Sequence, residues 1–182
     1  MKLALAERMS RLGTETAFEV LARAKALEAK GKSIVSLSIG QPDYDVDEVC
    51  KQVAIQQITS GFNSYTQTWG IEELREECTS YYVRKFGPQA ALKNVMITSG
   101  VSGGLFLALM SVINPGDEVI GADPYFVMYK HLVNLLGGSF KSVSTYPDFR
   151  LKAADVEAAI TEKTKVIVVN SPANPTGVTL SS

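Results

Sequence analysis

The sequence is poor in the residues that build stapled, metal-bound or membrane-spanning proteins. Its 182 residues include two cysteines, Cys50 and Cys78, and one histidine, His131. Two cysteines are too few for a disulfide framework, and their distance from each other and from the histidine gives no metal-ligand spacing. No apolar run approaches the roughly 20 residues of a membrane span. The N-terminal stretch MKLALAERMSRLG has an apolar run only from Leu3 to Ala6, short of the about 7–15 residues of a secretory leader. An excess of one charge is also missing. Basic residues number 18 and acidic residues 19, for a net charge of −1, which argues against nucleic-acid binding through a basic field. Hydrophobic residues make up 46% and charged residues 20%, the balance of an ordinary folded domain and not of a disordered chain. The expectation is an ordered, soluble, cytoplasmic protein with no metal, no nucleic-acid partner and no membrane.

What the chain does have is a periodicity that changes along its length. Glu15 to Lys30 reads as a helix, with Ala17, Leu21, Ala24 and Leu27 on one face and Gly31 as its cap. Ser33 to Ile39 alternates polar and apolar, which predicts a short strand ended by the turn Gly40-Gln41-Pro42-Asp43. Val46 to Ile58 and Ile71 to Phe86 predict two more helices, stopped by Gly61 and by Gly87-Pro88. From Asn94 onward strands and helices alternate. Val95–Thr98, Glu118–Gly121, Phe140–Thr145 and Lys165–Asn170 are the expected strands; Leu105–Val112, Tyr125–Leu136 and Ala153–Ile160 are the expected helices. Strands separated by single helices predict an α/β fold with a largely parallel sheet. No internal repeat or low-complexity segment interrupts it.

Ligands of open α/β sheets bind beyond the carboxyl ends of the strands, and two such ends are unusual here. Thr98-Ser99-Gly100-Val101-Ser102-Gly103-Gly104-Leu105 is a glycine- and serine-rich turn. Its backbone N–H groups, a helix N-terminus and two hydroxyls would make an anion cup; a tight turn that lets a helix lie close to the sheet is an equal reading. It lacks the dinucleotide fingerprint G-x-G-x-x-G, so a nicotinamide cofactor is disfavoured. The second end, Val169 to Gly177, holds Pro172, Pro175 and Gly177, which fix a loop able to aim Asn174 into the crevice. A plain connection is the alternative. Tyr125 and Phe126 come just after a strand end and could face a ligand, although aromatics there are usually core. His131 lies on a helix with no nucleophile aligned to it, so a Ser-His-Asp arrangement has no support. Glu72, Glu73, Glu76 and Glu77 read as a solvated helix face and not as a carboxylate pair.

Six segments, in order and spacing, together resemble the class I/II aminotransferases, fold-type I pyridoxal-phosphate (PLP) enzymes of the aspartate aminotransferase superfamily. They are Ser38-Ile39-Gly40-Gln41-Pro42-Asp43, Tyr65-Thr66-Gln67-Thr68-Trp69-Gly70-Ile71-Glu72-Glu73-Leu74-Arg75, Ile97-Thr98-Ser99-Gly100, Asn114-Pro115-Gly116-Asp117-Glu118-Val119, Asp123-Pro124-Tyr125-Phe126 and Asn170-Ser171-Pro172-Ala173-Asn174-Pro175-Thr176-Gly177. The last is the most specific. The resemblance covers nearly the whole chain but only about the N-terminal half of a typical family member. It implies a three-layer αβα fold with a mainly parallel sheet, incomplete at the C-terminus. Residues 1–45 would be an N-terminal arm and the start of a small domain, and residues 46–182 the N-terminal part of the large PLP-binding domain.

Carried over residue by residue, the resemblance makes Gly100, Val101 and Ser102 the turn that holds the cofactor phosphate. Phe126 matches the aromatic that stacks on the pyridine ring, and Asn174 the amide that bonds the phenolic oxygen. Tyr65 matches a tyrosine that reaches the phosphate of a neighbouring subunit's cofactor, which implies a homodimer. Gly40 matches a glycine on the substrate side, and Trp69 is bulkier than the small residue the pattern leads one to expect. No lysine here matches the Schiff-base segment; Lys130, Lys141, Lys163 and Lys165 are not assigned to it. That lysine, with the partners of the pyridine nitrogen, the phenolic oxygen and the substrate carboxylate, is expected beyond Ser182. The implied activity is amino-group transfer between an amino acid and a 2-oxo acid, with the 182 residues alone inactive. A PLP-dependent carbon–sulfur β-lyase, or an inert fragment that acts only by association, are the alternatives.

Overall fold

A computed structural model describes residues 4–13, 16–88 and 95–180. These fall into two compact units, one within Met1–Thr14 and Ser99–Ser182, the other within Glu15–Thr98. The first unit holds a short 3-10 helix, Glu7–Arg11, and then, beyond the second unit in the chain, α4 (Gly100–Val112), β1 (Glu118–Asp123), α5 (Met128–Leu135), β2 (Ser139–Ser144), α6 (Ala153–Ala159) and β3 (Thr164–Val168). The second holds α1 (Thr16–Glu28), α2 (Glu48–Thr59) and α3 (Glu72–Phe86).

The strands of the first unit form a parallel sheet in the order β2-β1-β3. The central strand is the most apolar and the most enclosed, as a parallel strand between two helical layers must be. Val119 and Ile120 point to opposite faces, and both are fully buried. Val119 packs with Leu109 and Ile113 at the end of α4 and with Leu132 and Val133 of α5. Ile120 faces the other way, on the side of its register partner Ile167, where Val156 and Ile160 of α6 share a groove with Ile167. The result is three layers, α4 and α5 on one face and α6 on the other.

The second unit is built around local contacts. Asp47 caps α2 by accepting the Val49 N–H at 2.9 Å, and no residue of α2 or α3 is fully buried. Arg75 Nε donates to the Val95 carbonyl at 3.2 Å, and the Ile97 N–H donates to the Trp69 carbonyl at 3.0 Å.

Two expected strands are not strands. Ser33–Ile39 and Val95–Thr98 join no ladder among the described residues. Alternation assigns side chains to faces, but a strand exists only through a ladder with a neighbouring strand, and among the described residues neither segment enters one: Val95–Thr98 is held instead by the single Ile97–Trp69 backbone bond and by Arg75. The side chains of Val35 and Leu37 are accordingly almost fully exposed. The helix expected from Tyr125 begins instead at Met128, because Pro124, Tyr125 and Phe126 first turn the chain away from β1. The glycine-serine segment is corrected the other way. Gly100 to Gly104 is no separate turn but the start of α4 itself.

Candidate functional site

The carboxyl edge of the sheet is assembled by chain connections that the core fixes. Helix α4 packs on the sheet through Leu109 and Ile113, then reverses into β1 through the turn Asn114–Asp117. It therefore runs antiparallel to β1. Its 13 residues span about 20 Å at 1.5 Å per residue, and the 6 residues of β1 span about 20 Å at 3.3 Å per residue. The N-terminus of α4 thus lies level with the carboxyl end of β1.

That N-terminus has the charge character that suits an anion. Its first turn carries no acidic residue, and the Ser99 side chain makes no capping bond. Gly100 stands at φ 71°, in the left-handed region, with open space where a Cβ would point. The amides of Val101 and Ser102 belong to the first turn, where N–H groups lack helical partners and the helix dipole favours negative charge. Val101 projects outward, and Ser102 is half-buried.

Phe126 is set by the link between the ends of β1 and β2. The Asp123 carbonyl accepts both the Thr145 N–H at 3.0 Å and the Thr145 hydroxyl at 2.7 Å, and Thr145 is buried. This pair of hydrogen bonds to one carbonyl pins the root of the Pro124–Phe126 segment to the end of β2. Tyr129 N–H then donates to the Phe126 carbonyl at 3.1 Å, and the two rings meet edge to face at 5.7 Å and 85°. Tyr125 turns the other way, onto Phe140 with ring centroids 4.7 Å apart.

Asn174 sits on the loop after β3, the strand beside β1. The Asn170 side-chain oxygen accepts the Asn174 N–H at 2.8 Å, and the Gly177 N–H closes on the Ala173 carbonyl at 2.7 Å. The Leu180 N–H donates to the Ser171 hydroxyl at 3.0 Å. The loop is thus held by its own side chains. Asn174 and Asn170 line a small, otherwise apolar cleft with Tyr125, Tyr129, Phe149 and Val168. Burial there pushes the Tyr129 phenol up from its ordinary range.

The structure therefore brings Gly100, Val101, Ser102, Phe126 and Asn174 to one edge of one sheet. Tyr65 and Gly40 belong to the other unit, where both are exposed. Tyr65 borders a shallow hollow with Phe62, Gln67 and Ile71, and nothing lies within 4 Å of a Cβ placed on Gly40. Sequence reasoning passed over Thr145, Tyr129 and Asn170. Asn170, four residues before Asn174 at a strand end, was the readable signal, since asparagine side chains commonly bond loop amides. Thr145 and Tyr129 act across the sheet edge and within a cleft, and carry no local signature.

Comparison with known proteins gives the family. Residues 32–182 match the family described as aminotransferase class I and II. The chain is 39% identical, over 95% of its length and 44% of the relative's, to a probable aspartate/prephenate aminotransferase of Rhizobium leguminosarum bv. phaseoli. It is 35% identical, over 95% of its length and 45% of the relative's, to a (5-formylfuran-3-yl)methyl phosphate transaminase of Methanocaldococcus jannaschii. Its structure superposes on aspartate aminotransferase from Thermus thermophilus with maleate at a TM-score of 0.94 and 34% identity, covering 100% of this chain and 48% of that one. The chain spans a little under half the length of the relatives it matches. It has the fold of that half, with the parallel sheet and its helices in place, and it belongs to the class I and II aminotransferase family.

Proposed function

We propose that this chain supplies the cofactor cradle of a PLP-dependent aminotransferase that moves an amino group between an amino acid and a 2-oxo acid. Members of the family are PLP-dependent, and the observation that carries the reading is the acid-free N-terminus of α4 at the carboxyl edge of the sheet, level with Phe126 and Asn174. These residues fit the group. The amides of Gly100 to Ser102 and the Ser102 hydroxyl suit a phosphate, the Phe126 ring suits a flat π-system, and the Asn174 amide can donate to a phenolic oxygen. When bound, PLP supplies an electron sink for the substrate's α-carbon. The chain's own part is to hold the phosphate, orient the ring and bring Asn174 to its polar edge.

Gly40 would lie toward the substrate, and Tyr65 would reach the cofactor phosphate of a second copy in a homodimer. Residues 46–182 would belong to the large domain and residues 1–45 to an arm and the start of a small domain. A cytoplasmic location fits this reading; among the described residues, no helix is long and apolar enough to cross a membrane. The test is PLP titration followed by absorbance, for the wild-type chain and for Ser102→Ala, Phe126→Leu and Asn174→Ala. Saturable binding weakened by each substitution supports the cradle, and binding indifferent to all three overturns it. In the full-length protein, 2-oxo acid release without any amino-group acceptor would replace transfer by elimination.

A further inference from the structure

Away from the cofactor edge, His131 holds together two segments 118 residues apart. The Gly13 N–H donates to His131 Nδ1 at 3.4 Å, so Nδ1 is unprotonated and the ring proton sits on Nε2. Nε2 is buried and has no hydrogen-bond partner among the described residues. Gly13 is required by the closeness of this contact: a Cβ there would stand 2.8 Å from His131 Cε1. A second contact supports the first. A Cβ on Gly137, just past the end of α5, would lie 3.0 Å from Arg11 Nη1, which places the guanidinium at the helix end where a cation is favoured. Residues 4–13 therefore lie along α5, clasped at His131 and steadied at its C-terminal end.

We propose that His131 is a proton-operated clasp. Neutral, it accepts the Gly13 amide and keeps the N-terminal segment on α5. With a proton on both nitrogens, Nδ1 becomes a donor facing another donor, and the segment is released. The elements packed against α5 carry charged groups of both signs. The 3-10 helix brings Glu7, Arg8 and Arg11, α5 brings Lys130, the Asn114–Asp117 turn brings Asp117, and β2 brings Lys141, which pairs with Glu118 at 3.4 Å; α4 brings none. The His131 main-chain N–H donates to the Val127 carbonyl at 3.4 Å, which sets the residue at the start of the helix that leads away from Phe126.

The experiment is hydrogen–deuterium exchange of residues 4–13 in the 182-residue chain between about pH 8 and pH 5.5, corrected for intrinsic rates. Protection is expected to fall about threefold to tenfold as the pH drops, the worth of one net hydrogen bond. His131→Asn keeps an acceptor at every pH and should abolish the dependence, whereas Gly13→Ala should leave the segment unprotected throughout. A second reading needs no variant: the imidazole ¹⁵N shifts should show an unprotonated Nδ1 at high pH, titrating together with the Gly13 amide. Wild-type protection that does not change with pH, or a Gly13 amide indifferent to the His131 titration, would overturn the proposal.

Discussion

The carboxylate of Glu118 accepts the hydroxyl of Thr161 at 2.7 Å, tying the first residue of the central strand to the turn that carries α6 into β3. The Glu118 N–H donates to the Lys163 carbonyl at 2.8 Å, and Lys141 of the opposite neighbour strand pairs with Glu118 at 3.4 Å. Glu118 therefore ties the central strand to both sides, to β2 through Lys141 and to the turn before β3 through Thr161 and Lys163. The Thr161 hydroxyl first, and then Lys141 and Lys163, hold its pKa below the ordinary range against the opposing effect of burial.

A group with a lowered folded-state pKa contributes stability that is present above its unfolded value and lost as the pH falls through the folded one. Thr161→Val should therefore lower the urea midpoint at pH 7. The difference from wild type should shrink as the pH falls below the ordinary carboxyl range of about 4.3. A difference that stays constant from pH 7 to pH 3 would show that the carboxylate is not what Thr161 stabilises.

Gly121 gives a packing prediction. A Cβ there would stand 2.6 Å from Phe140 Cζ, across the β1–β2 pair. Gly121→Ala should destabilise the chain by about 1–3 kcal/mol, the cost of overpacking a close-packed interior. Phe140→Leu in the same chain should recover part of that loss, as read by denaturant midpoints of the two variants and the double variant.

Gly70 is constrained twice in the other unit. Its φ is 99°, and a Cβ would stand 2.6 Å from the Ile97 side chain. Gly70→Ala should loosen the Trp69–Ile97 hydrogen bond and speed amide exchange at Ile97, while the amides of β1 in the first unit keep their protection. Equal loss in both units would show that they unfold as one.

At the cofactor edge, inorganic phosphate should raise the thermal midpoint of the wild-type chain, because a ligand bound only by the folded state stabilises it by mass action. Ser102→Ala should weaken that phosphate affinity about tenfold, as expected for one hydrogen bond to a charged group. Gly100→Ala, at φ 71°, should cost about 1–2 kcal/mol from the left-handed backbone alone. A phosphate response unchanged in Ser102→Ala would remove the hydroxyl from the cradle.

Local pattern alone was enough for the α/β class, for the existence of all six helices (α4 without its Gly100–Gly104 start), for the strands β1, β2 and β3, and for the family. Each of these rests on local information. Apolar residues recur at helical spacing in α4 and α5, β-branched residues crowd Lys165 to Val169, and the Asn170–Gly177 motif is short and unusual. The tertiary structure decided what needs a neighbour. Ser33–Ile39 and Val95–Thr98 read as strands but join no ladder among the described residues, and a ladder is a property of two segments and not of one. The glycine-serine run became the first turn of α4 because Leu105, Phe106 and Leu109 bury that helix on the sheet, which repays the backbone entropy that glycines cost a helix. Thr145 bonds Asp123 across 22 residues, and His131 bonds Gly13 across 118. No periodicity reports such pairs, since only the packed chain brings one side chain to the other's backbone.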